Sequence, residues 1–478
     1  MDMVFYNKRN RMEILEVTQV TPTFNSPKST TEFRLPLTFS DIIWFKFPPV
    51  ERLFFYQFDE LTPACFNSVI LPKLKRSLSL TLVHYLPLAG NLKWPPNEPK
   101  PIILYTPNDG VSLTVAHSDA DFNILSSDGV YDAAELHPLK PDLVISDVSA
   151  SAIALQVTLF PNKGFCIGIT AHHAVLDGQT TTMFIKSWAY ICKQGNDENS
   201  PLPPELTPVF DRSVLKGPDG LDMLYLNQWL ASSWSDSDTS KKSLKIMTSA
   251  GGGGAASDLV RATFEITRED FKKLRERVLS KLSDSAKEVH LSTFVLSFAY
   301  VATCMMKARR DGDRKVAFAF TADCRPRLNP PVSQNYFGNC NRPKIEVAKA
   351  RDFLDENGFV FAVQKTSGMV KALTERWVLE GMEKMLSYCF DVLKEASESK
   401  LQIISVAGSP RFGVYGIDFG WGKPQKVVVV SIDKSGAISM AESRDGSGGV
   451  EIGLALNKHE MNNFSWLFPR YVKREGLF

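Results

Sequence analysis

His173 stands four residues before an aspartate, Asp177, within Ala171-His172-His173-Ala174-Val175-Leu176-Asp177-Gly178. An imidazole whose pKa lies near neutrality can take the proton of an alcohol as its oxygen attacks a carbonyl. That is the difficult step of acyl transfer from a thioester, and it needs no nucleophile on the protein. His-x-x-x-Asp alone is a weak signal, and its setting strengthens it. Small residues flank His173, and Gly178 follows, so the side chain can be held rigidly at a cleft. His172 reads as a core histidine behind it. A His/Asp metal site is the competing chemistry, but adjacent histidines point to different sides, so no metal is expected.

Two further groups carry polar side chains in tight-turn settings. Asp418-Phe419-Gly420-Trp421-Gly422-Lys423-Pro424 has two glycines flanking a tryptophan, which implies a close backbone turn, and a plain turn between strands explains it equally well. It is neither a P-loop, because Pro424 takes the Ser/Thr position, nor a kinase segment, because the other kinase motifs are missing. Asp323-Cys324-Arg325-Pro326-Arg327 precedes Asn335-Tyr336-Phe337-Gly338-Asn339-Cys340. Arg325 could pair with a buried carboxylate such as Asp177, face a phosphate or a carboxylated acyl group, or lie solvated at the surface. No Gly-x-Ser-x-Gly elbow occurs, which disfavours a serine hydrolase of that type.

The elements that must position these residues follow from periodicity. Ile153 to Phe160 and Phe165 to Thr170 read as buried strands joined by the turn Pro161-Asn162-Lys163-Gly164. Met183, Phe184, Trp188 and Ile191 give Thr180 to Cys192 a helical period, which places the His pair where a strand hands over to a helix. Earlier, Glu32 to Leu37 reads as a strand, followed by an aromatic cluster of Trp44, Phe45, Phe47, Phe54, Phe55 and Tyr56. Thr62-Pro63 then starts a helical stretch divided at Pro72. Prolines at 201, 203, 204 and 208, a Ser/Asp run from Ser232 to Ser240 and four glycines at 251 to 254 mark a partly mobile crossover. Beyond it come a strand at Leu259, a charged helix from Glu269 to Leu282 and an apolar helix capped by Ser292 or Thr293. Strands at Lys426 to Ile432, Ala437 to Ser443 and Val450 to Leu456 complete the chain.

At 478 residues the chain calls for two domains, and 44% hydrophobic with 23% charged residues is the composition of a globular enzyme. Fifty-five basic against 53 acidic side chains exclude a general nucleic-acid binder held by phosphate contacts. Seven cysteines without a Cys-x-x-Cys pair fit free thiols in a reducing compartment, so a cytoplasmic location is expected. No signal-peptide pattern opens the chain, and the apolar run Phe294 to Met306 is short of a membrane span.

Together, His173 to Gly178 and Asp418 to Gly422 closely resemble the paired motifs of the plant BAHD acyltransferase family. The likeness extends to Leu37-Thr38-Phe39-Ser40-Asp41, Tyr85-Leu86-Pro87-Leu88-Ala89-Gly90-Asn91, Gln156-Val157-Thr158-Leu159-Phe160 and Tyr336-Phe337-Gly338-Asn339-Cys340. The last is similar to the anthocyanin and flavonoid glucoside branch, which includes many malonyltransferases. The resemblance implies an α/β fold of two similar chloramphenicol-acetyltransferase-like domains with mixed sheets and a channel between them. The domains would span 1–215 and 259–478, with the linker at 216–258. His173 would lie mid-channel as the base, and Asp177 would form a supporting ion pair with Arg325. Asp418 would be mainly structural, though family descriptions place it beside the histidine as catalytic, and Trp421 would offer its indole N–H to the oxyanion. Acyl-CoA would be a cosubstrate, with no bound cofactor, contacted by Ser292, Thr293, Arg261 and Arg325. Where some malonyl-using members have an arginine this chain has Thr181. A lysine common before the Leu259 strand is absent, leaving Arg261 or Lys241 to replace it. The implied acceptor is a small phenolic glucoside and the first donor malonyl-CoA. A hydroxycinnamoyl-CoA donor and a non-catalytic glycoside-binding relative are the alternatives. A monomer without nucleic-acid or membrane partners is expected.

Overall fold

The computed structural model describes residues 12–24, 31–195, 201–232, 242–247, 258–282 and 289–473. In chain order the elements that matter to the site are β1 (Met12–Val20), β2 (Val50–Gln57), β3 (Val111–Ser118), β4 (Ile153–Phe160), β5 (Gly164–Ala171), α1 (Gly178–Lys193), α2 (Leu221–Ala231), β6 (Leu259–Ile266), α3 (Thr293–Arg309), β7 (Lys426–Val429), β8 (Ile438–Glu442) and β9 (Val450–Asn457).

Six strands form the main sheet, in the order β1-β3-β4-β5-β2-β7. The sheet is mixed: β3 and β4 run parallel, while β5 is antiparallel to both β4 and β2. Every residue of β4 and β5 is buried, which is why both read as mostly apolar stretches without polar alternation, with Gln156, Thr158 and Thr170 buried among them. The Pro161 to Gly164 turn sets their register, Gly164 facing Phe160 and Ala171 facing Ile153. A second sheet of the C-terminal half contains β8-β9-β6, flanked by short strands at Val406–Gly408 and Tyr131–Asp132.

The two halves trade strands. β7, from the C-terminal half, closes the edge of the main sheet by pairing with β2, Val429 opposite Arg52. Tyr131–Asp132, from the N-terminal half, pairs with β6. One apolar core surrounds α1 and the face of β2 that carries Phe54 and Tyr56, and another surrounds α3 and β9.

The crossover holds more structure than its composition implies. Within 216–258, α2 buries Leu221, Tyr225, Leu226 and Trp229, and Trp229 donates to the Ile42 carbonyl at 2.8 Å. Residues 233–241, with most of the Ser/Asp run and Lys241, and 248–257, with the four glycines, lie outside the described residues. The stretch divided at Pro72 consists of Pro63–Cys65, a π-helical turn Phe66–Ile70 and the helix Leu71–His84. Among the described residues no helix is long and apolar enough to cross a membrane.

Candidate active site

β5 ends at Ala171, and the chain then turns sharply. The His172 N–H donates to Ala152 at 2.9 Å, and the His172 carbonyl accepts the Val175 N–H at 2.9 Å. His172 is fully buried, and its Nδ1 accepts the Ala174 N–H at 3.2 Å, so it braces the turn from inside. Burial holds its pKa down to about 3, with the neighbouring His173 and Lys46 adding to the effect.

Asp177 closes the turn and caps α1, its Oδ1 accepting the Thr180 N–H at 2.8 Å. The three threonines at 180–182 are poor helix formers. Thr181 and Thr182 settle into the first turn by donating to the carbonyls of Asp177 and Gly178, at 2.8 and 2.7 Å. The other oxygen of Asp177 meets the Arg325 guanidinium at 2.8 Å and the Cys340 N–H at 3.2 Å. Both carboxylate oxygens are therefore committed to structure, not to the imidazole.

Arg325 is 1% exposed. Besides Asp177 it reaches Asp323 at 3.1 Å, Thr180 Oγ1 at 3.3 Å and the carbonyls of Tyr336 and Gly338 at 3.2 and 3.1 Å. Burial is the largest influence and opposes its charge, but Asp177 and the weaker contributions of its other neighbours, Asp323 among them, together raise its pKa above the ordinary value. Enclosed in this way it pins the His173 loop and has no face for an acyl group or a phosphate, which corrects its second expected role.

A parallel brace grips His173 itself. Asn339 Nδ2 donates to the His173 carbonyl at 3.0 Å and to Asp41 Oδ1 at 3.1 Å, and the Asn339 N–H donates to the same oxygen at 2.9 Å. Asp41, fully buried, is the N3 residue of a capping box with Thr38. Gly338 turns the chain here at φ +115, and a Cβ would stand 3.2 Å from Asp41 Oδ1 and closer still to Arg212.

The imidazole of His173 stacks on Trp44, with ring centroids 4.3 Å apart and planes 9° from parallel, and Phe47 meets it edge-on at 6.3 Å. Its Nδ1 is buried without a partner. The residue as a whole is half-buried. Burial holds its pKa down to about 4, against the upward pull of its own backbone and of Asp177, so the ring is a neutral base at pH 7.

Five expected site residues lie elsewhere. Asp418 pairs with Lys193 at 2.6 Å, at the last residue of α1, about 22 Å of helix from its start. Its other oxygen accepts the N–H groups of Gly420 and Gly422 at 2.8 and 3.0 Å, which shapes the turn. Trp421 packs edge-on against Phe165, 6.0 Å away, with the Lys73 ammonium 5.0 Å over its ring. Phe165 is at the far end of β5, about 20 Å of strand from Ala171. Neither Asp418 as a catalytic partner nor Trp421 as an oxyanion donor is within reach of His173. Arg261 is 3% exposed, paired with Asp433 and donating to the Val429 carbonyl at 2.7 Å, so it is not free to meet a CoA phosphate. Ser292 caps α3 by accepting the Val295 N–H at 3.3 Å, and Thr293 beside it is exposed.

A cavity of about 530 Å³ runs along one face of α1, lined by Gln179, Thr182, Lys186, Lys193, Asn335, Arg411 and Asp418 among others. Its amides and cations suit a hydroxyl-rich or anionic ligand. His173 is not part of its lining.

Sequence reasoning assigned no role to Trp44, Asp41 or Asn339. Their motifs were visible, but each acts by meeting a residue more than about 100 positions away, and only the folded chain pairs them.

Comparison with known proteins gives a consistent result. The Transferase family model matches residues 11–468. The chain is 48% identical over 471 residues to phenolic glucoside malonyltransferase 1 of Arabidopsis thaliana, covering 96% of this chain and 97% of that one. It is 47% identical over 470 residues to malonyl-CoA:anthocyanidin 5-O-glucoside-6''-O-malonyltransferase of the same plant, covering 97% and 98%. Among solved structures, vinorine synthase superposes with a TM-score of 0.66 at 20% identity, covering 95% of this chain and 96% of that one.

Proposed function

The chain belongs to the Transferase family, the BAHD acyltransferases, and on that footing we propose that it moves a malonyl group from malonyl-CoA to a sugar hydroxyl of a phenolic glucoside. The observation that carries the chemistry is His173: a half-buried, neutral imidazole whose carbonyl is braced by Asn339 and whose loop is pinned by Asp177 and Arg325. In this reading Nε2 takes the proton of the acceptor hydroxyl as its oxygen bonds to the thioester carbonyl carbon. The tetrahedral intermediate then collapses, the C–S bond breaks, and the proton on Nε2 passes to the departing CoA sulfur. No protein nucleophile enters the sequence.

Thr181, where some malonyl-using members carry an arginine, is 2% exposed and bonded to the Asp177 carbonyl, so the malonyl carboxylate is left to other cations. Ser292 and Thr293, at the start of α3, remain our proposed contacts to CoA, since a helix N-terminus favours phosphate. Asp418 acts through the turn it shapes. Seven unpaired cysteines, six of them buried, support the cytosol as the working compartment, and we propose a monomer.

The test is to incubate the pure protein with malonyl-CoA and a panel of phenolic glucosides, with mass detection of the ester. His173→Ala should lower kcat by roughly 10³-fold while the melting temperature stays within a few degrees. No ester from any pairing overturns the function, and an unaffected rate in the variant overturns the base.

A further inference from the structure

A half-buried general base must become a cation for an instant, and something has to stabilise that charge. In a catalytic triad a carboxylate on the second ring nitrogen does so. Here that nitrogen, Nδ1 of His173, is buried with no partner, and both oxygens of Asp177 are taken by Arg325, Cys340 and Thr180. What lies against the ring is the face of an indole.

We propose that Trp44 is the positioning residue of His173, fixing the plane of the imidazole and stabilising the imidazolium that forms when the acceptor gives up its proton. The proposal rests on the general-base reading above. Three observations carry it. The rings are 4.3 Å apart and within 9° of parallel, which puts the electron-rich face of the indole under the imidazole. The indole cannot slide, because its Nε1–H donates to Asn341 Oδ1 at 2.9 Å, a residue of the opposite half of the chain. Phe47 closes the remaining side, edge-on to Trp44 at 5.2 Å and to His173 at 6.3 Å, with Trp229 packed behind it at 5.7 Å.

The charged and titratable groups around the ring do not substitute for this contact. His172 on the same turn is itself held neutral, and Lys46 opposes a second positive charge there. Asp177 acts only across space, and Asp41 is bonded to Asn339 and Thr38. Beyond the residue's own backbone, the indole is the side chain packed closest against the imidazole ring among the described ring contacts.

The experiment compares Trp44→Leu, which keeps the site apolar but removes the π face, with Trp44→Phe, which restores a face. Trp44→Leu should lower kcat about ten-fold, leave KM for both substrates within about two-fold, and move the acidic limb of kcat/KM to lower pH, because the charged form has lost its stabiliser. Trp44→Phe should recover most of the rate and return the limb. Asn341→Ala, which only unpins the indole, should cost about three-fold in kcat without moving the limb. A second readout uses the fluorescence of the indole itself, which a stacked imidazolium quenches. The emission difference between wild type and Trp44→Phe should titrate at the pH of the acidic limb and vanish in His173→Ala. Equal rates and equal limbs in the Leu and Phe variants, or no titration of that emission, would overturn the proposal and leave Trp44 as packing. Full activity in His173→Ala would instead overturn the base beneath it.

Discussion

A neutral imidazole serves as a base only over the pH range in which it stays neutral, and here burial sets that range. With His173 held down to about 4, kcat/KM should stay level from pH 8 to about 5 and fall only below that, rather than through the usual histidine range near 6.5. A pH–rate profile with a steep limb at 6 to 7 would contradict it. Stability carries the same sign. The unfolded chain takes up a proton on His172 near pH 6.5, while the folded chain refuses it until about 3, so that part of the stability is complete above 6.5 and is lost as pH falls. By pH 5 the losses from His172 and His173 should be about 2 kcal/mol each, read together from urea midpoints at pH 7 and pH 5. His173 was legible from its spacing to Asp177 and its place after an apolar strand. Trp44 was legible only as one of a cluster of aromatics, because nothing local distinguishes a tryptophan that meets a histidine from one that fills a core.

At the scale of the element, α1 begins on a residue with two duties, and they can be separated. Asp177→Asn keeps a good cap but leaves the buried Arg325 guanidinium only the more exposed Asp323 carboxylate, which should cost about 3 kcal/mol of unfolding free energy and lower kcat as the His173 loop loosens. Asp177→Ala should lose about 1 kcal/mol more, since the cap goes as well. Asp418→Asn is the contrast. Its partner Lys193 is half-exposed, so urea midpoints should show a loss of about 1 kcal/mol or less, with kcat within a few-fold of wild type. The strand, turn and helix around His173 were all readable because their apolar periods are clean. α2 was not, although Leu221, Tyr225, Leu226 and Trp229 have helical spacing. Prolines before it and a Ser/Asp run after it gave the whole segment the composition of a linker, and composition outweighed period.

The whole molecule is less divisible than its two cores suggest. β7 completes the N-terminal sheet and Tyr131–Asp132 extends the C-terminal one, so each half lacks an edge when the other is missing. Expressed separately, residues 1–247 and 258–478 should be insoluble or poorly folded, while the intact chain unfolds in one cooperative transition by calorimetry. Two resolved melting steps would contradict this. The run Val427 to Val430 is plainly strand-like in sequence, but its place beside β2 is not, because the partner of a short apolar strand depends on which edge is open once everything else has packed.

That late-arriving strand has a consequence for how the protein is made. A ribosome releases the chain from its N-terminus, and β2, with Phe54 and Phe55, emerges well before Lys426 to Val429, which follows about 370 residues later. Over that interval one apolar margin of the nascent sheet stands open, a surface for chaperones to guard and the first place for neighbouring unfinished chains to stick.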